Sequence, residues 1–150
     1  MNLDARVVID ASPEAVWRRL TDFESAGALM PLVTSARLLD PELAPGSRLR
    51  LVLEYAGSSV SVDAIVEEAD PPRVLALRGD VVEPAGQLVA SWHLVGDGAA
   101  TRLEQRARVN FSSPMIRMAA RAVVARALGP GGVEASLQEL KAAVEAAEGA

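Results

Sequence analysis

Hydrophobic and polar residues alternate along most of the first 110 positions of this chain. Between residues 3 and 10, apolar side chains occupy every second position. The same spacing recurs at Leu49, Leu51 and Leu53. Successive side chains of a strand point to opposite faces, so this pattern is typical of strands with one buried face. It predicts seven strands, near residues 3–10, 33–39, 48–55, 60–66, 74–78, 88–94 and 103–109.

Turn residues separate these predicted strands. Pro71 and Pro72 have no backbone N–H to pair in a sheet, so Asp70-Pro71-Pro72 predicts a turn outside the strand pairing. Gly96-Asp97-Gly98 is typical of a tight hairpin. Short turns join strands that run in opposite directions, and the predicted sheet is therefore antiparallel.

Two short helices are predicted after the first strand. Ser12 can cap free backbone N–H groups, Pro13 suits the first helical position, and Glu14 complements the helix dipole. Val16, Trp17 and Leu20 give this helix its buried side. A second helix is expected to begin near residues 22–24 and to end at Pro31.

Beyond Ser113-Pro114 the hydrophobic period changes from strand to helix. A long helix is predicted, and its second half repeats apolar residues at Val133, Leu137, Leu140 and Val144. The run Gly129-Pro130-Gly131-Gly132 should interrupt it, because proline and glycine disfavour a helix interior. The interruption is interpreted as a hinge for ligand access, and a static kink is the alternative.

The order of strand, two short helices, six strands and long helix resembles the helix-grip fold of the START-like (SRPBCC) superfamily. The residues that carry the resemblance are caps, turns and core positions at 11–17, 20–22, 31–33, 45–48, 67–75, 98–103 and 137–141. The group that the chain resembles within it is the polyketide cyclase/dehydrase and lipid-transport family. The resemblance implies one α+β domain over residues 1–150, in which a curved seven-stranded antiparallel sheet wraps the C-terminal helix around an apolar cavity. The interruption at residues 129–132 departs from the family pattern, and it leaves the shape of the cavity mouth open.

The inward rows of the predicted strands and helix supply the candidate ligand site. The candidate residues are Leu53, Tyr55, Val62, Trp92, Gln105, Met115, Met118, Ala122 and Arg126. The polar members Tyr55, Gln105 and Arg126 either bond to one another or to the backbone, or they await a ligand. Arg126 also has the reach to extend to solvent.

Catalytic and metal chemistry find little support in the sequence. The chain has no cysteine and one histidine, so no metal site and no cofactor are expected. His93 follows Trp92, and strand alternation turns it outward if Trp92 points inward. Glu54, Asp63, Glu67 and Glu104 also fall on outer faces, and no inward pair of acids is apparent for hydrolysis.

Charge and hydropathy argue against nucleic-acid and membrane partners. The net charge is −5 without a basic block, and there are only five aromatic residues, so a nucleic-acid partner is not expected. No stretch approaches the roughly 20 apolar residues of a membrane span, and the N-terminus lacks a signal-peptide pattern. The expected location is the cytoplasm, and the oligomeric state stays open.

Three function hypotheses follow. The first is binding or carriage of a hydrophobic small molecule, polyketide-, lipid- or aromatic-like, in an internal cavity. The second is a cofactor-independent polyketide cyclase/aromatase or dehydrase, in which Tyr55, Gln105 and Arg126 would polarise a carbonyl or guide a proton. The third is a module that docks another protein through an exposed apolar patch.

Overall fold

Seven strands form a single antiparallel sheet in the order β1-β7-β6-β5-β4-β3-β2. The computed structural model describes residues 4–24, 33–55, 58–81, 86–119 and 132–148. The elements are β1 (Ala5–Ile9), α1 (Pro13–Leu20), β2 (Val33–Leu38), β3 (Arg48–Tyr55), β4 (Ser58–Asp70), β5 (Val74–Val81), β6 (Gly86–Asp97), β7 (Ala100–Phe111) and α2 (Gly132–Glu148). Residues 114–119 are also helical.

The sheet is a meander of six strands, to which the first strand adds at the edge next to the last one. Strands β2 to β7 each pair with the next strand along the chain, and β1 pairs with β7, the last strand. The curved sheet and the C-terminal helix confirm the predicted α+β helix-grip architecture. Four of the strands extend beyond the predicted limits, and β4 reaches 13 residues.

Two predicted turns begin later than expected. Gly96 and Asp97 pair with Thr101 and Ala100, so the last hairpin loop is Gly98-Ala99 and not Gly96-Asp97-Gly98. Asp70 pairs with Val74 and is the last residue of β4, whereas the sequence placed it outside the pairing. The Asp70 carbonyl accepts a hydrogen bond from the backbone N–H of Arg73 at 2.7 Å. The two prolines that follow therefore form the tip of the turn, and Asp70 still belongs to the ladder.

Helix α1 begins as its sequence predicts. The Ser12 hydroxyl accepts a hydrogen bond from the Ala15 N–H at 3.2 Å, and Pro13 occupies the first helical position. Val16 and Leu20 are fully buried. The second predicted short helix falls mainly on residues 25–32, which lie outside the described part of the chain.

Helix α2 packs on β1 and α1, the first two elements of the fold. Leu137, Leu140 and Val144 are buried there, as the helical spacing predicts. Two polar contacts add to this packing: Lys141 Nζ donates to the Val8 carbonyl at 2.9 Å, and the Asp10 N–H donates to Glu145 Oε2 at 2.8 Å. Hydrogen bonds from Lys141 and Asp10 lower the pKa of the Glu145 carboxyl.

The predicted helix interruption at residues 129–132 includes one residue that the structure describes, Gly132. It is the first residue of α2. Residues 129–131 lie outside the description, so the hinge stays a prediction. The single domain over residues 1–150 likewise stays a prediction. Among the described helices, none combines the length and the apolar character needed to cross a bilayer.

The two faces of the sheet differ in kind. The inner face carries the apolar core, with Leu49, Leu75, Leu77 and Leu103 all at most 1% exposed. The outer face carries the charged residues, because each strand alternates between the two sides. The candidate ligand residues Leu53, Val62, Trp92 and Gln105 belong to the inner face.

Candidate functional site

The inner face holds one row in which a polar side chain lies among apolar ones. Across four neighbouring strands, Ala5 lies opposite Gln105, Gln105 opposite Trp92, and Trp92 opposite Leu75. Trp92 and Gln105 both have a relative exposure of 0%. The predicted inward orientation of this pair is therefore confirmed.

Trp92 and Gln105 are hydrogen-bonded to each other. The indole Nε1–H of Trp92 donates to Oε1 of Gln105 at 3.0 Å. The directly opposite position of the two residues on β6 and β7 brings their side chains within this reach. The bond fixes the Gln105 oxygen and leaves the amide nitrogen on the other side.

The amide nitrogen of Gln105 has no partner. Its Nε2 is buried and makes no hydrogen bond. The other buried polar side chains in the described part of the chain are satisfied by the backbone. Thr101 Oγ1 donates to the Ala11 carbonyl at 2.8 Å, and Ser47 Oγ donates to the Glu42 carbonyl at 2.6 Å. Arg19 Nε is the other buried side-chain nitrogen without a hydrogen bond among the described residues, but Arg19 as a whole is half-buried, whereas Gln105 is fully buried.

Small residues line the sheet beside Gln105. In the next row, Ala107 lies opposite Ala90, and one row further Gly79 lies opposite Ala64. All four are inner-face positions with little side chain to fill the concave surface. A Cβ on Gly79 would come within 2.6 Å of Val62 Cγ1, so the side chain of Val62 already covers this position. Next to the unused amide the sheet therefore carries the small residues Ala90 and Ala107, with Leu77 opposite Ala90 on the other side.

The other predicted strand positions divide into two groups. Val62 is 1% exposed, and Leu53 is partly buried against the core, so both face inward as predicted. Tyr55 is the last residue of β3, opposite Ser58, and its side chain lies outside what the structure describes. Its role as a ligand contact stays a prediction.

The predicted buried position of Met115 and Met118 is wrong. Their relative exposures are 80% and 78%. In the helical segment of residues 114–119, Ile116 is the half-buried residue, so the face turned toward the protein is centred one position from Met115. Ser113 sets the start of this segment by accepting from the Ile116 N–H and, through its carbonyl, from the Arg117 N–H. Apolar residues occur on every side of this segment, at Met115, Ile116, Met118 and Ala119, so the pattern did not identify the face that packs on the protein.

Ala122 and Arg126 lie outside the described residues, and their predicted contacts with a ligand stay predictions.

The charged residues and His93 on the described strands lie on the outer face, as the alternation predicts. His93 is exposed and lies opposite Glu104 on β7. Arg106 hydrogen-bonds Glu104 at 2.7 Å and thereby lowers the pKa of that carboxyl. Arg50 does the same for Asp63, at 2.9 Å. These charged side chains lie on the solvated face, and strand alternation places the Gln105 side chain on the opposite face.

Two open clefts border the β1–β7 edge. One, of about 390 Å³, lies among Asp4, Arg6, Gln105, Arg108 and Glu134. The other, of about 450 Å³, lies on the outer face and includes Val8, His93 and Val95. Neither is the predicted apolar cavity, because both are lined largely by charged or exposed residues. The described residues also contain no group of three or more His, Asp or Glu placed to hold a metal ion.

The bond between Trp92 and Gln105 is the feature that the sequence interpretation missed. Both residues were assigned to the site, but not to each other. A two-residue loop at Gly98 and Ala99 places them directly opposite, and Gly98 has the positive φ of 64° that such a loop uses. The register of this hairpin was therefore the signal that could have revealed the pair.

Comparisons with known proteins agree with this fold. Residues 1–145 match the sequence model of a family described as polyketide cyclase/dehydrase and lipid transport. The chain is similar to the structure of TTHA0849 from Thermus thermophilus, with 24% identity, a TM-score of 0.73, and coverage of 98% of this chain and 99% of that one. It is also similar to the Zhui aromatase/cyclase from a Streptomyces species, with 21% identity, a TM-score of 0.72, and coverage of 97% and 93%.

A third similar structure, Ara h 8.0201, shares the fold at only 10% identity, with a TM-score of 0.66 and coverage of 97% of this chain and 98% of that one. The chain has no significant match among curated proteins. At these identities the structural likeness establishes the fold, and activity has to be argued from the residues.

Proposed function

The chain belongs to the polyketide cyclase/dehydrase and lipid-transport family, and from this premise we propose that it binds or carries a hydrophobic small molecule against the inner face of its sheet. The ligand class is polyketide-, lipid- or aromatic-like. The proposal retains the predicted cytoplasmic location and invokes neither cofactor nor nucleic acid.

The observation that carries the proposal is the unused amide of Gln105. A buried donor without a partner costs about 1–3 kcal/mol of stability. Gln105 is fully buried with such a donor, and the neighbouring positions Ala90 and Ala107 are small. Ligand sites combine apolar walls with a few polar groups that fix orientation. This part of the inner face has that composition.

A cyclase/aromatase or dehydrase reaction in the same place is the alternative. Such a protein can accelerate a reaction by holding a flexible chain in one reactive conformation. Proton transfer additionally needs an acid or base within hydrogen-bond reach. The buried polar residues of the described chain are Ser47, Thr101 and Gln105, which titrate outside the physiological range or not at all. The described geometry therefore favours binding over catalysis.

Native mass spectrometry of the freshly purified protein tests the proposal first. We expect a bound small molecule, or, after delipidation, binding of a member of a panel of fatty acids, aromatic ketones and polycyclic aromatics. A Trp17→Phe variant leaves Trp92 as the sole tryptophan, so binding beside it should change the emission. Saturation at a hundredfold over Kd also stabilises by about 2.7 kcal/mol, which raises the Tm.

No co-purified molecule, no change in Trp92 emission and no rise in Tm across the panel would together show that the inner face is a closed core.

A further inference from the structure

The orientation of the Gln105 side-chain amide is determined by its neighbour. An indole N–H is a donor only, so the atom that it faces at 3.0 Å must be the amide oxygen. The Gln105 Nε2 therefore points away from Trp92. Because both side chains are fully buried, no solvent competes for this arrangement.

The free end of the amide presents donors and no acceptor. A glutamine Nε2 carries two N–H groups, and neither has a partner in the described structure. Only an acceptor atom satisfies them. An oxygen of a bound molecule placed there would remove the penalty of an unsatisfied buried donor.

The surroundings of this amide favour an uncharged acceptor. Among the described residues, the buried polar side chains are Ser47, Thr101 and Gln105, and none of them carries a charge. None of the described inner-face residues would supply a counter-ion to a carboxylate, and a carboxylate that lost its hydration there would be far more costly to bury than a neutral oxygen. The arginines of β7, Arg102, Arg106 and Arg108, are exposed on the opposite face of the strand.

We infer that the ligand is a neutral hydrophobic carbonyl compound, whose oxygen accepts a hydrogen bond from Gln105 Nε2 while Trp92 acts as the positioning residue that holds the amide. This inference rests on the proposed binding function and narrows its ligand to a chemical class. It concerns recognition and includes no covalent step.

A set of ligands of matched shape tests the inference. In 2-acetylnaphthalene a carbonyl oxygen is present, in 2-isopropenylnaphthalene a methylene replaces that oxygen, and in 2-naphthoate a carboxylate replaces the acetyl group. Equilibrium dialysis against the wild-type protein should give the ketone a Kd about tenfold below that of the alkene, a difference of about 1.4 kcal/mol. The carboxylate should bind more weakly than the ketone.

Variants test whether the Gln105 amide causes the preference for the ketone over the alkene. Gln105→Met keeps the length of the side chain and removes its donors, so the ratio of the alkene Kd to the ketone Kd should fall to about one. Trp92→Phe keeps the amide but frees its orientation, and the ratio should fall by less. Gln87→Met makes the same change at an exposed position of β6 and should leave the ratio unchanged. A merely loosened pocket would weaken both ligands alike, so the ratio separates recognition from damage.

Infrared spectroscopy of the wild-type protein gives a reading that needs no variant. The carbonyl stretch of bound, ¹³C-labelled 2-acetylnaphthalene should lie at lower wavenumber than in hexane, because a hydrogen bond weakens the C=O bond. A stretch at the hexane position overturns the inference even if the ketone binds.

The outcomes separate this inference from the proposed function. Equal affinities for ketone and alkene, or tighter binding of the carboxylate, overturn the carbonyl preference and leave hydrophobic binding standing. Binding of none of the three, together with a negative result from the broader panel, overturns both.

Discussion

On the outer face of the sheet Arg50 lies opposite Asp63 and binds it at 2.9 Å, whereas on the inner face Trp92 lies opposite Gln105 and binds it at 3.0 Å. The two pairs share their cross-strand geometry and differ in their surroundings. The remaining donors of Arg50 are exposed to water, and the remaining donors of Gln105 are not. The two contacts therefore differ in what they leave unsatisfied. Water accepts hydrogen bonds from the remaining donors of Arg50, whereas only a ligand or a buried water could accept from those of Gln105.

The comparison extends to the hydrophobic residues. Valines and isoleucines of the outer face, such as Val8, Ile65 and Val95, are 45–50% exposed. Leucines of the inner face, such as Leu75 and Leu103, are fully buried. The inner face should therefore be sensitive to small changes that the outer face tolerates. Four predictions test this difference, in order of decreasing effect.

The largest effect is expected from truncation of a core leucine. Leu103→Ala should lower the free energy of unfolding by about 2–5 kcal/mol, because the transfer free energy is lost and a cavity remains. Val95→Ala, on the outer face of the neighbouring strand, is the control and should stay within about 0.5 kcal/mol of wild type. Urea unfolding followed by circular dichroism measures both. Similar losses for the two variants would show that the faces do not differ in packing.

An added methyl group on the inner face should have the next largest effect. The new Cβ of Gly79→Ala would come within 2.6 Å of Val62 Cγ1 and 3.4 Å of the Ala64 Cβ. Overpacking of this kind destabilises by about 1–3 kcal/mol. Adding Val62→Ala removes the clashing methyl, so the double variant should be more stable than the sum of the two single effects. Simple additivity in the unfolding free energies would argue against a direct clash.

A buried hydrogen bond should matter more than an exposed one of the same type. Thr101 Oγ1 donates to the Ala11 carbonyl at 2.8 Å in the interior, and Thr34 Oγ1 donates to the Val52 carbonyl at 3.3 Å at the surface. Thr101→Val should destabilise by about 1 kcal/mol, since the freed carbonyl has no water to bind. Thr34→Val should change stability less. The reverse order in thermal or urea unfolding would contradict the comparison.

The smallest effect is expected from the Arg50–Asp63 pair. Arg50 lowers the pKa of the Asp63 carboxyl below its unfolded value, so the pair stabilises the fold above the unfolded pKa. This contribution is lost as the pH falls through the lower, folded-state pKa. Asp63→Asn should therefore be slightly less stable than wild type at neutral pH and equal to it in acid. The difference should also shrink in high salt. A difference that grows in acid would show that the sign is wrong.

The sequence predicted the sheet well because strand alternation is a local signal. Each of the seven strands was located, and the inward positions of Val62, Trp92 and Gln105 followed from the period of two. The phase of the helical segment after Ser113 was not predicted correctly. Its orientation depends on the surface against which the segment packs, and the sequence of one short segment does not contain that information.

Of the candidate site, the inward positions on the strands were predicted, and the hydrogen bond between Trp92 and Gln105 was missed. Gln105 was assigned as an inward polar residue. That its oxygen has a hydrogen-bond partner and its nitrogen has none depends on the register between β6 and β7. Periodicity determines which face a residue occupies, and register determines which residue it meets. Hydrogen-bond partners across strands therefore need the turn geometry as well as the pattern.

The pairing of the first strand with the last one has a consequence for how the molecule comes to be folded. Strands β2 to β7 each pair with the next strand in sequence, whereas β1 pairs with β7. Asp10, directly after β1, contacts Glu145 of α2 across 135 residues. Contacts of such separation slow folding because a long loop must close first. During synthesis the amino end leaves the ribosome first. β1 therefore stays without β7 until residue 111 has been translated, and without α2 until residue 148 has been translated.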